Sequence, residues 1–498
     1  MVDKSLVLVY PPRIGTTRYT GDISAALLYL AGATRESNAC DNISIFDFNI
    51  PIGAGRTIDD LLKSIESQSV STRKSSISQG VSTIIAINCL YSGLFPVVRD
   101  IAAKVKARFT DIKVVVGGIH ATLFAKEIID NCPEFDAVAI GESDVDFPLL
   151  LRHLFYCIPS HDDLEGVCLR VNGKTVYKPR IRYVHDLDSL PRPGYEFYDL
   201  KQYSVDTSGW WSPDGINISS VQLPLVTSRS CPSKCNFCTN SIAMGDKFRA
   251  RSAKSVFNEI QYLSDTYGVN YFRIEDDNLT LNRERIVSLC KMIIKSGLRV
   301  YFDARNGISL KTLDEEVVSL MRRAGFIMVS LAVESASDYI RNKVMGKHIS
   351  REQILNAFEM CSSVGMNVAA FFIIGMPEDT EDTLKEMSQM IHEINAARIF
   401  VMEARPYPGT KLFEQCVKDN LLTVKSDNDF LWTGDVEYEY MKKAKRLIDR
   451  EPRSIRIKPY KLSLERLLEI NVEIQQIAYE KSRAWFEHVL KNNVSKTT

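Results

Sequence analysis

Three cysteines stand close together in Cys231-Pro-Ser-Lys-Cys235-Asn-Phe-Cys238, directly after the run PLVTSRS. Thiolates at this C-x3-C-x2-C spacing can ligate three irons of a [4Fe–4S] cube. The fourth iron then has no protein ligand and is open to a substrate or cofactor. A structural zinc site requires four ligands. The next cysteine, Cys290, is more than fifty residues away, and no histidine lies near the loop. A low-pKa redox pair within the trio is a further reading of the same residues. Lys234 and Arg229 flank the loop and can ease a cluster's negative charge. The other eight cysteines (40, 89, 132, 157, 168, 290, 361 and 416) are scattered singly and read as buried, reduced thiols.

The cysteine loop is followed by a regular βα rhythm. Strands are predicted at 223–228, 270–275, 299–303, 327–333, 368–374 and 398–403. Helices are predicted at 253–267, 283–296, 314–324, 351–364 and 379–395. Six βα units suit a partial barrel with its site at the carboxyl ends of the strands. Those ends carry Glu275-Asp276-Asp277-Asn278, Asp303-Ala-Arg305-Asn306, Glu334-Ser335, Gly375-Met-Pro-Glu378 and Arg405-Pro-Tyr-Pro-Gly-Thr410. Acids at strand ends often cap the next helix. In succession behind a three-cysteine loop, they also read as ligand-holding groups.

Residues 1–155 show the same rhythm. Strands are predicted at 5–10, 43–47, 83–88, 112–117 and 136–140, with helices at 22–36, 57–66, 94–108 and 123–131. Continuous Val/Ile runs separated by helices predict a parallel, doubly wound sheet covered on both faces. Its ligand edge lies beyond the carboxyl ends of the strands. That edge offers Pro11-Pro12, Asn88 to Ser92, Gly117-Gly118-Ile119-His120 and Gly141-Glu142. The serine-rich Ser67–Ser82 stretch reads as a solvated loop. Residues 156–222 form a hairpin near 166–178 and a linker, with Trp210-Trp211 as a packing anchor or a substrate-facing lid. In 426–498, a basic run from Lys442 to Lys461 precedes an amphipathic helix from Ser463. That helix carries Leu464, Leu467, Leu468, Ile474, Ile477 and Trp485 on one stripe. It is a docking helix or a surface for an anionic substrate, carrier or membrane.

The chain has 498 residues, 45% of them hydrophobic and 25% charged, which excludes disordered and disulfide-scaffold classes. Lys plus Arg and Asp plus Glu both number 62, so bulk-charge binding of nucleic acid is not expected. No apolar run reaches the length of about eighteen residues needed for a membrane span. The first residues lack a basic, cleavable leader, so the expected location is cytoplasmic.

With its cysteine spacing, Phe237 before the last cysteine and Asp276-Asp277-Asn278 at the second strand end, the barrel resembles the radical S-adenosylmethionine (SAM) superfamily. VLVYPP, VVVGGIHAT and AVAIGESDVDFPLLL resemble the cobalamin-binding domain that precedes the barrel in one large class of that superfamily. The resemblance implies an α/β chain. A Rossmann-like cobalamin domain (1–155) and a linker (156–222) lead into a partial (β/α)6 TIM-like barrel (223–425) and a helical tail (426–498).

The implied cofactors are a [4Fe–4S] cluster on Cys231, Cys235 and Cys238, SAM, and cobalamin. Phe237, Asp276, Asp277, Arg305, Glu334 and Gly375 are implied to contact SAM. The acids would take its ammonium, Arg305 its carboxylate, Glu334 the ribose hydroxyls and Gly375 the adenine face. Ser92, Gly117, Gly118, His120, Gly141 and Glu142 are implied to contact cobalamin. The mutase-type Asp-x-His-x-x-Gly is absent after the first strand, where Arg13-Ile-Gly-Thr-Thr-Arg18-Tyr-Thr-Gly21 stands, so no histidine of this loop would ligate cobalt.

The implied activity is methyl transfer to an unactivated carbon through a 5′-deoxyadenosyl radical and methylcobalamin. A non-methylating cyclisation, oxidation or C–C coupling with the same cofactors is the alternative. The implied partners are a small-molecule or lipid substrate and an electron donor such as flavodoxin or ferredoxin. Weak membrane-surface contact through the basic segment is a further expectation.

Overall fold

The computed structural model describes residues 3–13, 21–50, 56–72, 81–204, 218–219, 221–423 and 455–494. Trp210-Trp211, residues 14–20 of the first loop and residues 442–454 of the basic run lie outside them. The described residues form two compact units, one built mainly before residue 205 and one mainly after it.

The first unit is built on β1 (Ser5–Tyr10), β2 (Asn42–Asp47), β3 (Thr83–Asn88), β4 (Lys113–Gly117) and β5 (Ala137–Ala139). These pair in parallel in the order β2-β1-β3-β4-β5. Every residue of β1 and β3 is buried, because helices cover both faces and no side of these strands meets water. The helices are α1 (Ala25–Ser37), α2 (Ile58–Thr72), α3 (Phe95–Arg108), α4 (Ile119–Leu123), α5 (Ala125–Asn131) and α6 (Asp146–Tyr156). Leu6, Leu8, Val115, Ala137, Phe147 and Leu150 form one core cluster. The strand order reverses direction between β1 and β3, which opens a crevice beyond their carboxyl ends.

Three details differ from the sequence reading. The helix expected at 123–131 is α5, and an unexpected single turn, α4, precedes it, separated from it at Phe124 (φ −120°, ψ 29°). α2 continues to Thr72, into the stretch read as a solvated loop. The hairpin, β6 (Val167–Val171) and β7 (Lys174–Lys178), is not free-standing. β6 pairs antiparallel with β5 and extends the first sheet to seven strands. Among the scattered cysteines, Cys157 is exposed and Cys40 half-buried; the other six are buried, as expected.

The second unit contains β8 (Gln222–Leu225), the short antiparallel pair β9 (Ser228–Arg229) and β10 (Arg249–Ala250), β11 (Tyr271–Ile274), β12 (Tyr301–Ile308), β13 (Phe326–Glu334), β14 (Asn367–Ile374) and β15 (Arg398–Glu403). β8 and β11 to β15 pair in parallel in sequential order, the sheet of a six-stranded partial barrel. The helices are α7 (Asn240–Met244), α8 (Ala253–Tyr267), α9 (Arg283–Ser296), α10 (Glu315–Ala324), α11 (Arg351–Ser363), α12 (Glu381–Glu393), α13 (Lys411–Lys418) and α14 (Leu464–Val494). The starts of α8 to α13 are set by side-chain caps at Ser252, Asn282, Asp314, Ser350, Thr380 and Thr410, each accepting a first-turn N–H.

On the face of the sheet opposite Asp303, Phe272, Phe302 and Phe326 stand in register on β11, β12 and β13. Their ring centroids are 5.8 and 4.8 Å apart. α14 docks on β15: Gln475 Nε2 donates to the Val401 carbonyl at 2.7 Å and Asn471 Nδ2 to Glu403 Oε1 at 3.1 Å. Leu467 and Ile474 of its predicted stripe are buried. Ile399, Val401 and Glu403 of β15 are therefore covered. The alternate Phe400 and Met402, on the opposite face of the strand, remain 42% and 46% exposed. No described helix is long and apolar enough to cross a membrane.

Removing the central ring of the aromatic row in Phe302→Ala should destabilise the second unit by about 3–5 kcal/mol. Urea unfolding measures this, and a loss under 1 kcal/mol would contradict the stacking described here.

Candidate cofactor sites

The cysteine loop begins where β9 ends, and it is held by the strand beside it. Asp276, just beyond β11, has a fully buried side chain. Its Oδ1 accepts the Thr227 N–H at 2.6 Å. Its Oδ2 accepts the Thr227 and Ser228 hydroxyls, and the Arg285 guanidinium stands at 3.8 Å. The neighbouring Asp277 accepts the Ser230 N–H at 2.7 Å. Burial raises the pKa of Asp277, against the lowering effect of that hydrogen bond. Charge-assisted bonds of this kind are about twice as strong as neutral ones, so the two acids fix the backbone that leads into Cys231.

The loop turns through two left-handed residues, Ser230 (φ 70°) and Lys234 (φ 48°). Asn236 anchors it: its N–H donates to the Met345 carbonyl at 3.0 Å, its Nδ2 to the Val344 carbonyl at 2.6 Å, and its own carbonyl accepts the Leu412 N–H at 3.0 Å. Phe237 packs against the apolar cluster of Ile340, Val344, Met345, Ile373, Met376 and Leu412. Asn278 Nδ2 points at Cys231 Sγ, 3.8 Å away. Burial raises the pKa of the half-buried Cys235 thiol, and the neighbouring thiol of Cys231 raises it further.

Above the next strands, Glu334 closes β13 at a bulge and takes φ 65°, a conformation uncommon for a residue with a Cβ. Such strain gathers where a side chain must be re-aimed. Its Oε1 pairs with Lys347 Nζ at 3.0 Å. Burial opposes the lysine's charge, but Glu334 and the thiols of Cys235 and Cys231 outweigh it and raise the Lys347 pKa. The loop carrying Lys347 is tied down by Arg341, which is buried and donates to the carbonyls of Ile349, Ser335 and Ala336.

These partners revise several expected roles. The Asp276 carboxylate is enclosed by the protein's own donors and does not face a ligand. Phe237 is half-buried and packs against the apolar cluster, which also makes it an anchor of the loop. Arg305 is captured by Asp303, two residues earlier on the same face of β12, at 2.6 Å. It also reaches Gln222 Oε1 at 3.2 Å, toward the amino ends of the strands and away from the cysteine loop. Gly375 takes φ 89° and donates its N–H to Asp379 Oδ2, and a Cβ there would touch Leu467 of α14 at 3.5 Å. Its backbone freedom thus serves a turn beneath α14. Asn236, Asn278 and Lys347 were missed. Asn236 and Asn278 sat inside motifs already singled out, whereas nothing in the sequence brings Lys347 to the cysteines.

In the first unit the ligand edge is tied together by α4. Gly118 (φ 104°) passes so close to β3 that a Cβ would lie 2.4 Å from the Cys89 carbonyl oxygen. Gly117 has ordinary space, with Ala139 at 3.6 Å. The Thr122 hydroxyl donates to the Gly118 carbonyl at 2.9 Å and accepts the Gly141 N–H at 2.8 Å. His120 Nδ1 lies 2.9 Å from Ser92 Oγ. Ser92, Gly118, His120 and Gly141 are therefore brought together at the carboxyl ends of β3, β4 and β5. Glu142 is turned inward, accepting the Val184 N–H at 3.0 Å.

The comparisons with known proteins agree with this geometry. The family model described as the radical SAM superfamily matches residues 225–391, and that of the B12 binding domain matches residues 22–151. The chain belongs to the radical SAM superfamily, in the group that carries a B12 binding domain. Similar curated proteins include an uncharacterized methyltransferase of Pyrococcus horikoshii, 26% identical over 84% of each chain. An anaerobic magnesium-protoporphyrin IX monomethyl ester cyclase of Rubrivivax gelatinosus is 26% identical over 61% of this chain and 53% of its own length. Among solved structures, the radical SAM methyltransferase TsrM of Kitasatospora setae superposes with a TM-score of 0.63 at 15% identity, over 83% of this chain and 76% of its own. That likeness is one of fold.

A radical SAM enzyme of this group uses a [4Fe–4S] cluster, SAM and cobalamin, and the cysteine loop fits the cluster. Its three thiols share one pinned loop and feel one another's charge, with the cationic Lys347 beside them. Among the described residues no three His, Cys, Asp or Glu converge as the ligands of a single ion would.

Two outcomes follow. Asp276→Asn removes the charge that faces Arg285 and replaces one of the two acceptor oxygens with an NH2 that cannot accept from Thr227, Ser228 or Arg285. It should cost about 3 kcal/mol or more in urea unfolding of the apoprotein, and under 1 kcal/mol would refute the clamp. Burial holds the His120 pKa at about 3, below the unfolded value of about 6.5. Its stabilising contribution is therefore complete above pH ~6.5 and is lost as pH falls toward 3, at up to about 1.4 kcal/mol per pH unit. His120→Phe should remove that part of the acid sensitivity in urea midpoints measured from pH 7 to 4.

Proposed function

We propose that this protein is a cobalamin-dependent radical SAM methyltransferase that methylates an unactivated carbon of a small-molecule or lipid substrate. The observation that carries the reading is the cysteine loop held by Asp276, Asp277 and Asn236, in one chain with a B12 binding domain. When bound, the cluster and SAM supply a 5′-deoxyadenosyl radical, and cobalamin supplies the methyl group. Cys231, Cys235 and Cys238 hold the cluster. Asp277 and Glu334 orient SAM from the carboxyl ends of β11 and β13, and Lys347 holds Glu334 in place. Ser92, Gly118 and Gly141 border cobalamin on the first unit. Phe400 and Met402, with Phe371 5.4 Å from Phe400, offer the substrate an apolar wall that excludes water.

The finer assignments extend the same reading. The enzyme acts in the cytoplasm and receives its electron from a flavodoxin- or ferredoxin-type donor. The basic segment before α14 gives weak contact with a membrane surface. The relationship to the cyclase of Rubrivivax gelatinosus favours one second reading, in which the same cofactors drive a cyclisation without methyl transfer.

Anaerobic reconstitution with iron, sulfide and hydroxocobalamin should give a protein that shows both chromophores and makes 5′-deoxyadenosine from SAM and reductant. Cys231→Ala, Cys235→Ala and Cys238→Ala should each lose the cluster absorbance and that product. Iron-depleted variants that retained full turnover would overturn the reading. With methyl-labelled SAM, label in the product supports methylation, and unlabelled product favours the cyclase reading.

A further inference from the structure

On the edge of the first sheet, one imidazole has a nitrogen that meets nothing. His120 is 1% exposed. Its ring is flanked by Phe95 and Phe124, with centroids 4.6 and 4.8 Å away. Nδ1 meets Ser92 Oγ at 2.9 Å, while Nε2 is closed off from solvent and has no hydrogen-bond partner. Among the described residues the Ser92 hydroxyl has no second partner.

A neutral imidazole carries one N–H, and the hydrogen bond made by one nitrogen decides where it sits. With the proton on Nε2, a buried N–H would face only hydrocarbon. With the proton on Nδ1, the unmatched site is a lone pair. An orphaned buried N–H is the rarer of the two. The ring therefore carries its proton on Nδ1 and donates it to Ser92 Oγ. The oxygen that accepts this bond is left with its own proton to give.

We propose that His120 is a positioning residue: by donating to Ser92 Oγ, it makes Ser92 a dedicated hydrogen-bond donor to an acceptor atom of cobalamin at the carboxyl edge of β3. The ligand's identity rests on the cobalamin reading above; the direction of the His120–Ser92 bond does not. Ser92 follows β3 in the loop beyond its carboxyl end, next to Gly93, and is buried. The Phe95 and Phe124 rings keep water from the imidazole, so its proton cannot be shared with solvent.

The test has two arms. In protein labelled with 15N-histidine and free of cofactor, the His120 signals, assigned by their loss in His120→Phe, should be those of a neutral Nδ1–H tautomer. An Nε2–H tautomer would overturn the inference. In the second arm the full chain is titrated with hydroxocobalamin and followed by its visible absorbance. Ser92→Ala should weaken binding about tenfold, and His120→Phe, which keeps the ring, about as much. The double variant should be no weaker than either single one. His120→Asn places an amide nitrogen near the Nδ1 position and should restore binding to within about threefold. Near-UV circular dichroism checks that each variant folds. If the wild type binds and His120→Phe equals it, this inference alone fails. If the wild type binds no cobalamin, the cobalamin reading fails and takes the ligand assignment with it, while the tautomer measurement still decides the direction of the bond.

Discussion

Two neighbouring carboxylates, Asp276 buried and Asp277 half-buried, govern the second unit. The barrel can present three thiols only if the chain before Cys231 stays in place, and that chain has little regular structure of its own, since β9 is two residues long. Asp276 and Asp277 provide the constraint from the adjacent strand. Between them they accept the N–H groups of Thr227 and Ser230 and the hydroxyls of Thr227 and Ser228. Arg285, on α9, balances the charge that burial would otherwise penalise. The loop's far side is fixed by Asn236 and by Phe237, which packs against the apolar cluster. Lys347, at the end of a segment clamped by Arg341, then adds positive charge beside the thiols.

The first unit solves a similar problem with fewer charges. Its ligand edge is assembled by α4, a single turn whose side chains reach the loops beyond three strands: His120 to Ser92 after β3, and Thr122 to both Gly118 and Gly141. The glycine at 118 has a structural purpose before any ligand arrives. It lets β4 end against the Cys89 carbonyl, and any Cβ would break that contact. In both units, side chains just beyond the carboxyl ends of parallel strands hold the loops.

The sequence displayed most strands and helices well, because strands such as β1, β3 and β14 are apolar runs and α8 to α13 each have a capping residue at their start. α8 and α9 fall at their predicted bounds. The cysteine spacing likewise announced a cluster. Side-chain direction was less legible. A run such as Glu275-Asp276-Asp277 tells that acids lie at a strand end, but alternation and a partner 49 residues away decide that Asp276 turns inward. Arg305 shows the same limit: Asp303 captures it from within its own strand. Gly375 was read against a ligand ring, yet its Cβ direction faces α14, a helix some ninety residues later. Local pattern carries no information about such distant neighbours.

The hairpin of β6 and β7 has one more consequence. Without it the first sheet would end at β5, three fully buried residues with their outer N–H and C=O groups unpaired. Such a short apolar border invites another molecule to add itself by strand pairing. β7 instead presents Lys174 and Lys178 at the border, and charge of one sign discourages that growth. A fragment that stops at residue 155 would keep the crevice of the first unit but uncover this adhesive rim, so soluble expression of the isolated half should require the hairpin.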